Sequence, residues 1–218
     1  QWHEQVNAAA GRLLVRPTWR PDKAMNITAP GWNAYIDRLG DRFGTRIRTY
    51  EELLNVLRQS HDYFAAHGAV ASDHGVEVPP GSCGSADEAA AIFRHARDGE
   101  ALKAGAAECF RGCFLLEAAA LDAEKNWVFQ YHAGAVRDVR NTLFQTLGPD
   151  SGGDVCNPWQ NALPGVSMLL NRFDGRLKVV LYCLDPVFQP MLASMARAFG
   201  DKVRLGSAWW LCDTPVGM

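Results

Sequence analysis

Apolar residues along this chain gather in five short runs that read as buried strands, each closed by polar or turn residues. They cover residues 12–16, 69–72, 127–132, 178–183 and 203–206. Between most of them the pattern turns helical. Thr49-Tyr50-Glu51-Glu52 has the form of a capping box, a hydroxyl for the third amide and a carboxylate reaching back. The helix it opens runs from 50 to about 67, sets Leu53, Leu54, Leu57, Tyr63 and Phe64 near one face, and ends before Gly68. Ser85-Ala86-Asp87-Glu88 repeats the form and starts a second helix. A third spans about 100–123, rich in alanine and leucine, and a fourth covers 138–147, stopped by Gly148-Pro149. Asp185-Pro186 supplies an N-cap with proline in the first helical position, and that helix ends at Gly200.

Strand and helix alternate, which predicts parallel β-α-β units joined by right-handed crossovers. The long insertion between the second and third strands holds two helices. With no repeat, no low-complexity tract and no Gly/Ser/Pro linker, the chain reads as one α/β layer system. The pattern suits a barrel or an open doubly wound sheet equally, although the phosphate loops GxGxxG and GxxxxGK[ST], which would favour the open sheet, do not occur.

Composition narrows the function classes. At 218 residues, 48% hydrophobic and 21% charged, the chain is long enough to bury a sizeable core. A formal charge of −2, from 22 basic and 24 acidic residues, gives no electrostatic reason to expect a nucleic-acid partner. No apolar run approaches the roughly 20 residues of a membrane span. The six cysteines are scattered without a CxxC pair, so neither a zinc ribbon nor a disulfide scaffold is suggested, and a reducing cytoplasm is the expected compartment.

In parallel α/β folds chemistry gathers where strands end. After the first strand comes Arg16-Pro17-Thr18-Trp19-Arg20-Pro21-Asp22-Lys23, a proline-stiffened loop whose guanidinium suits a carboxylate or phosphate. An Arg20–Asp22 or Lys23–Asp22 ion pair that merely holds the loop accounts for the same residues. After the second strand, Ser72-Asp73-His74-Gly75 offers acid–base or metal-binding groups, or simply a turn. Alternation in the third strand puts Gln130 and His132 on one face, opposite Phe129 and Tyr131. Arg137 and Arg140 sit where a helix is expected to begin, and cations there oppose its dipole, so they are read as facing an anion or as solvated. Trp209 and Trp210, after the fifth strand, wall a pocket or cover the core, and Cys183 reads as core. Arginine, imidazole, carboxylate and tryptophan together suit a small polar anion such as a sugar acid.

Those loops, with Gln130-Tyr131-His132-Ala133-Gly134-Ala135-Val136-Arg137, Leu147-Gly148-Pro149-Asp150, Leu181-Tyr182-Cys183-Leu184-Asp185-Pro186 and Gly206-Ser207-Ala208-Trp209-Trp210, resemble the uronate (glucuronate) isomerase family in its own order. The resemblance implies an α/β fold of the amidohydrolase superfamily. Residues 1–218 would be an internal section of a metal-dependent (β/α)8 TIM-type barrel, about strands three to seven with extra helices inserted, lacking the first two strands and the last. It implies aldose–ketose isomerisation of D-glucuronate to D-fructuronate and of D-galacturonate to D-tagaturonate, in hexuronate catabolism. The implied cofactor is a divalent metal, zinc or else manganese. The partner is a small-molecule uronate, with no nucleic acid and no membrane, and the intact enzyme is expected to be a cytoplasmic homo-oligomer.

The family's His-x-His on strand one, Thr-Asp-Asp-Pro on strand two and Asp-Ser-Arg after strand eight have no counterpart here. The main acid–base and metal-binding residues are therefore expected outside this chain, and the section alone is expected to be inactive. Within it, the resemblance makes His132 the candidate metal ligand. Arg20, Asp22, Asp73, His74, Gln130, Arg137, Trp209 and Trp210 become substrate-binding candidates. A metal-dependent hydrolase on the same barrel, and a non-catalytic sugar-acid-binding module, are the alternatives.

Overall fold

The structure, a computed structural model, describes residues 2–9, 14–157 and 162–207. The first half carries α1 (Trp2–Ala9), α2 (Asp22–Met25), α3 (Trp32–Arg42), α4 (Tyr50–Ala66), β1 (Ala71–Val76), α5 (Ala86–Arg97) and α6 (Ala106–Lys125). The second carries β2 (Val128–Ala133), β3 (Ala135–Val136), α7 (Asn141–Leu147), β4 (Val155–Cys156), α8 (Ala162–Arg172), β5 (Lys178–Cys183), α9 (Gln189–Phe199) and β6 (Val203–Leu205). β1, β2, β5 and β6 pair in that order into one sheet, every pair parallel. β3 and β4 form a small antiparallel pair between β2 and β5, which the sequence pattern did not announce.

The expected capping boxes are largely present. Thr49 Oγ1 accepts from the Glu52 amide at 3.2 Å while Glu52 Oε2 accepts from the Thr49 amide at 2.9 Å. At α5 the first half of that pair forms, the Ser85 hydroxyl accepting from the Glu88 amide at 3.1 Å. The third helix starts later than residue 100 because Glu100 closes the preceding one, its amide donating to the His95 carbonyl at 2.9 Å. At the fourth, α7 starts at Asn141, so Arg137 follows a strand and does not stand at a helix N-terminus. Asp185 opens a single 3-10 turn, Pro186–Phe188, ahead of α9.

Two strands differ from the pattern. Arg12 and Leu13 of the first expected strand lie outside the described residues, and 14–16 do not pair as a strand. The Asn7 side chain takes both backbone groups of Val15, at 2.9 and 2.6 Å, so they cannot join a ladder. Parallel pairing there shrinks to one bridge, Trp19 to Ser72. The second strand begins two residues late because the Ala69 amide still donates to Phe64 at the end of α4. It then runs through Asp73, His74 and Gly75, which were expected to follow it.

Register sorts the side chains. Ser72 pairs with Phe129 and His74 with Tyr131, all on the face turned to the helices, where all four are buried. Asp73 pairs with Gln130, and His132 with Tyr182, on the opposite face. α6 packs on β2 and touches α4, α5 and α8. Phe93, Phe110, Phe114 and Phe129 are fully buried in that core. Burying each such ring contributes about 1.5–3 kcal/mol.

Candidate active site

Arg20 stands between two carboxylates. Its Nε lies 3.0 Å from Asp22 Oδ2 and its Nη1 2.9 Å from Asp73 Oδ2. Asp22 Oδ2 also accepts the Gly75 amide at 2.8 Å, which ties the loop after Trp19 to β1. The absence of a side chain at Gly75 lets the guanidinium lie close against β1, where a Cβ would meet Arg20 Nη2 at 2.6 Å and push it aside. The Arg20–Asp22 pair offered by the sequence as a structural account is therefore formed. The Arg20 side chain nevertheless stays 46% exposed and lines a cleft of about 1310 Å³ together with Asp22, Lys23, Arg111, His132 and Arg137.

Beside it, Asp73 Oδ1 contacts His132 Nδ1. The Asp73 carboxyl is pulled in two directions. Burial raises its pKa, and the hydrogen bond and charge of His132, followed by Arg20 and His74, outweigh burial and leave it below the ordinary aspartate value. The His132 ring lies flat on Tyr182, centroids 4.1 Å apart and planes 17° apart. Tyr182 donates to Gln130 Oε1 at 3.0 Å, and Gln130 Nε2 donates to the Ser72 carbonyl at 3.2 Å. Gly206 gives the tyrosine its room, since a Cβ there would fall 2.2 Å from Cε1.

With Nδ1 against Asp73, Nε2 is the ring nitrogen turned away from that carboxylate. A carboxylate behind a histidine is the usual way to fix the tautomer of a metal ligand, so His132 fits one coordination position. Among the described residues no group of three or more His, Cys, Asp or Glu can hold a metal ion.

The structure thus brings Arg20, Asp22, Asp73 and His132 into one cluster, with Gln130 supporting it through Tyr182. His74 lies behind the cluster, fully buried on the other face of β1. Arg137 reaches the same cleft, but its Nη1 is paired with Asp154 Oδ2 at 2.5 Å. Trp209 and Trp210 lie outside the described residues. Sequence reasoning overlooked Tyr182, Asp154 and Arg111, and also the buried His61 and Asp122. Three of them had a signal: Tyr182 stands in one of the family-like motifs, His61 continues the Leu53, Leu57 stripe of α4, and Asp122 the Leu115, Ala118 stripe of α6.

The whole chain, residues 1–218, matches the family described as glucuronate isomerase. The chain belongs to that family. It is 40% identical over 216 residues to the uronate isomerase of Thermotoga maritima, 99% of this chain and 48% of that protein. The crystal structure of uronate isomerase from that organism matches with a TM-score of 0.92, covering 99% of this chain and 48% of the other. That of glucuronate isomerase from Caulobacter crescentus, 28% identical, matches with a TM-score of 0.83, covering 99% and 45%. The chain spans about half the length of the curated relatives it matches. Its four parallel strands and the Trp19 bridge are accordingly a section of a glucuronate isomerase barrel. No helix among the described residues is long and apolar enough to cross a membrane.

Proposed function

We propose that the protein containing this chain is a uronate isomerase. It would interconvert D-glucuronate with D-fructuronate and D-galacturonate with D-tagaturonate in hexuronate catabolism. The observation that carries the reading is the Arg20–Asp73–His132 cluster, opening on a large cleft in a chain that matches the glucuronate isomerase family from end to end. In this reaction a proton leaves C2 and one is delivered to C1, while the carbonyl passes between the two carbons. Arg20, held at two points, would bind the substrate's carboxylate or hydroxyl oxygens without having to reorganise. His132 Nε2 would hold a divalent metal, zinc or manganese, with Asp73 fixing the ring and Tyr182 supporting its face. Bound there, the metal would supply Lewis-acid polarisation of substrate oxygens. Arg137 would face the same cleft, with Asp154 orienting it, and Trp209 and Trp210 would complete the wall.

The remaining metal ligands, the acid–base residues and the other three strands are assigned to the half of the protein outside this chain. That whole protein is read as a cytoplasmic homo-oligomer, which sedimentation of the intact protein would check. The central test is kinetic: His132→Ala, Arg20→Ala and Arg137→Ala, made separately in the intact protein, should each lower kcat/KM for D-glucuronate. Near-normal values in all three would overturn the assignment, and cleavage of amides or esters without uronate isomerisation would point to a hydrolase.

A further inference from the structure

Behind the cleft, on the face of β1 turned to the helices, polar side chains connect in a buried line. His61 of α4, Asp122 of α6, and Ser72 and His74 of β1 are all fully buried, and Asp22 is 8% exposed. His61 Nε2 lies 3.0 Å from Asp122 Oδ1, and Ser72 Oγ donates to Asp122 Oδ2 at 2.5 Å. His74 Nε2 lies 2.9 Å from Ser72 Oγ. At the far end His74 Nδ1 faces Asp22 Oδ1 at 3.4 Å, and neither atom has a hydrogen-bond partner among the described residues.

Proton counting gives this line a direction. A carboxylate only accepts, and the serine has one hydroxyl proton, which goes to Asp122. Ser72 must then accept from His74, so Nε2 carries a proton. If the ring were neutral, Nδ1 would be a bare lone pair set against a bare carboxylate oxygen in a dry interior. A second ring proton turns that repulsion into an ion pair. We propose that the Asp122–Ser72 pair holds His74 as a doubly protonated imidazolium against Asp22, a positioning cation for the Arg20 clamp. Within the clamp, Arg20 and His74 then offset Asp22 and Asp73, beside the further cations Lys23, Arg111 and Arg137 on the cleft wall. Without that proton the clamp would carry one positive charge fewer where an anionic sugar has to bind. The functional half of the inference rests on the uronate reading.

The test is a histidine-ring 15N spectrum of the intact protein, with His74 assigned through its own backbone correlations. Both ring nitrogens should be protonated, and an unprotonated nitrogen on His74 would overturn the proposal whatever the enzyme turns over. Asp122→Asn sharpens it, because the amide can donate to Ser72 and reverse the line, sending the serine proton to Nε2. His74 should then become neutral, and KM for D-glucuronate should rise about tenfold with kcat changed far less. If the Asp122→Asn variant does not fold, the spectrum of the unaltered protein still decides. An imidazolium in a protein that does not isomerise uronates would keep the buried line and defeat the functional reading instead.

Discussion

Asp73 and His74 adjoin in the chain, and β1 turns the first toward the cleft and the second into the helical layer. On the cleft side Asp73 meets Arg20 and His132, both on the wall of an open space. On the helix side His74 lies between Ser72 and Asp22, with its ring stacked on Phe129 at 4.3 Å. The cleft face keeps charged groups available to a ligand. The helix face has its polar groups locked into a dry network from α2, α4 and α6. One strand therefore serves two media: its helix face sets stability and orientation, and its cleft face sets chemistry.

That division can be broken from either side. The largest effect is expected from Phe129→Ala, which removes a fully buried ring from the helix face. It should cost about 3–5 kcal/mol in denaturant unfolding of the intact protein, while kcat of the folded fraction moves little. Arg20→Lys keeps a charge but loses the fork that spans Asp22 and Asp73. Losing one charged hydrogen bond should weaken uronate binding by about 1.5–3 kcal/mol, with the melting temperature almost unchanged. Asp73→Asn keeps the shape behind His132 and removes the charge. A loss of about 10- to 100-fold in metal affinity or activity is expected, read by metal titration and steady-state kinetics. If Phe129→Ala abolished catalysis without destabilising the fold, the separation of the two faces would be wrong.

The smallest effect lies far from both faces, at the capping box of α4. Thr49→Ala should cost about 0.5–2 kcal/mol. The Glu52 carboxyl is held below its ordinary value of 4.5 by the amides of Arg48 and Thr49. A lowered folded-state pKa adds stability above the unfolded value, and that stability is lost as pH falls through the folded one. The difference in melting temperature between Glu52→Gln and the parent should be present at neutral pH and close on acidification below that ordinary value. A difference that grew instead would mean the cap is not formed by the ionised carboxylate.

Local elements were legible in the order of residues alone. Thr49 with Glu52 and Ser85 with Glu88 placed two helix starts, because a cap is chemistry between residues three apart. Alternation within 127–132 put Gln130 and His132 on one face, because the strand period of two needs no partner. Composition and order were enough for an α/β fold, and the motifs carried the family. What those groups meet depends on packing. His61 and Asp122 are 61 residues apart in sequence, and Gly75 and Asp22 are 53 apart. Neither pairing has a local signature, since a buried hydrogen bond depends on where packed helices bring two side chains. The first strand shows the same limit: an apolar run is compatible with a ladder, yet the Asn7 amide reached Val15 first and left a single bridge at Trp19.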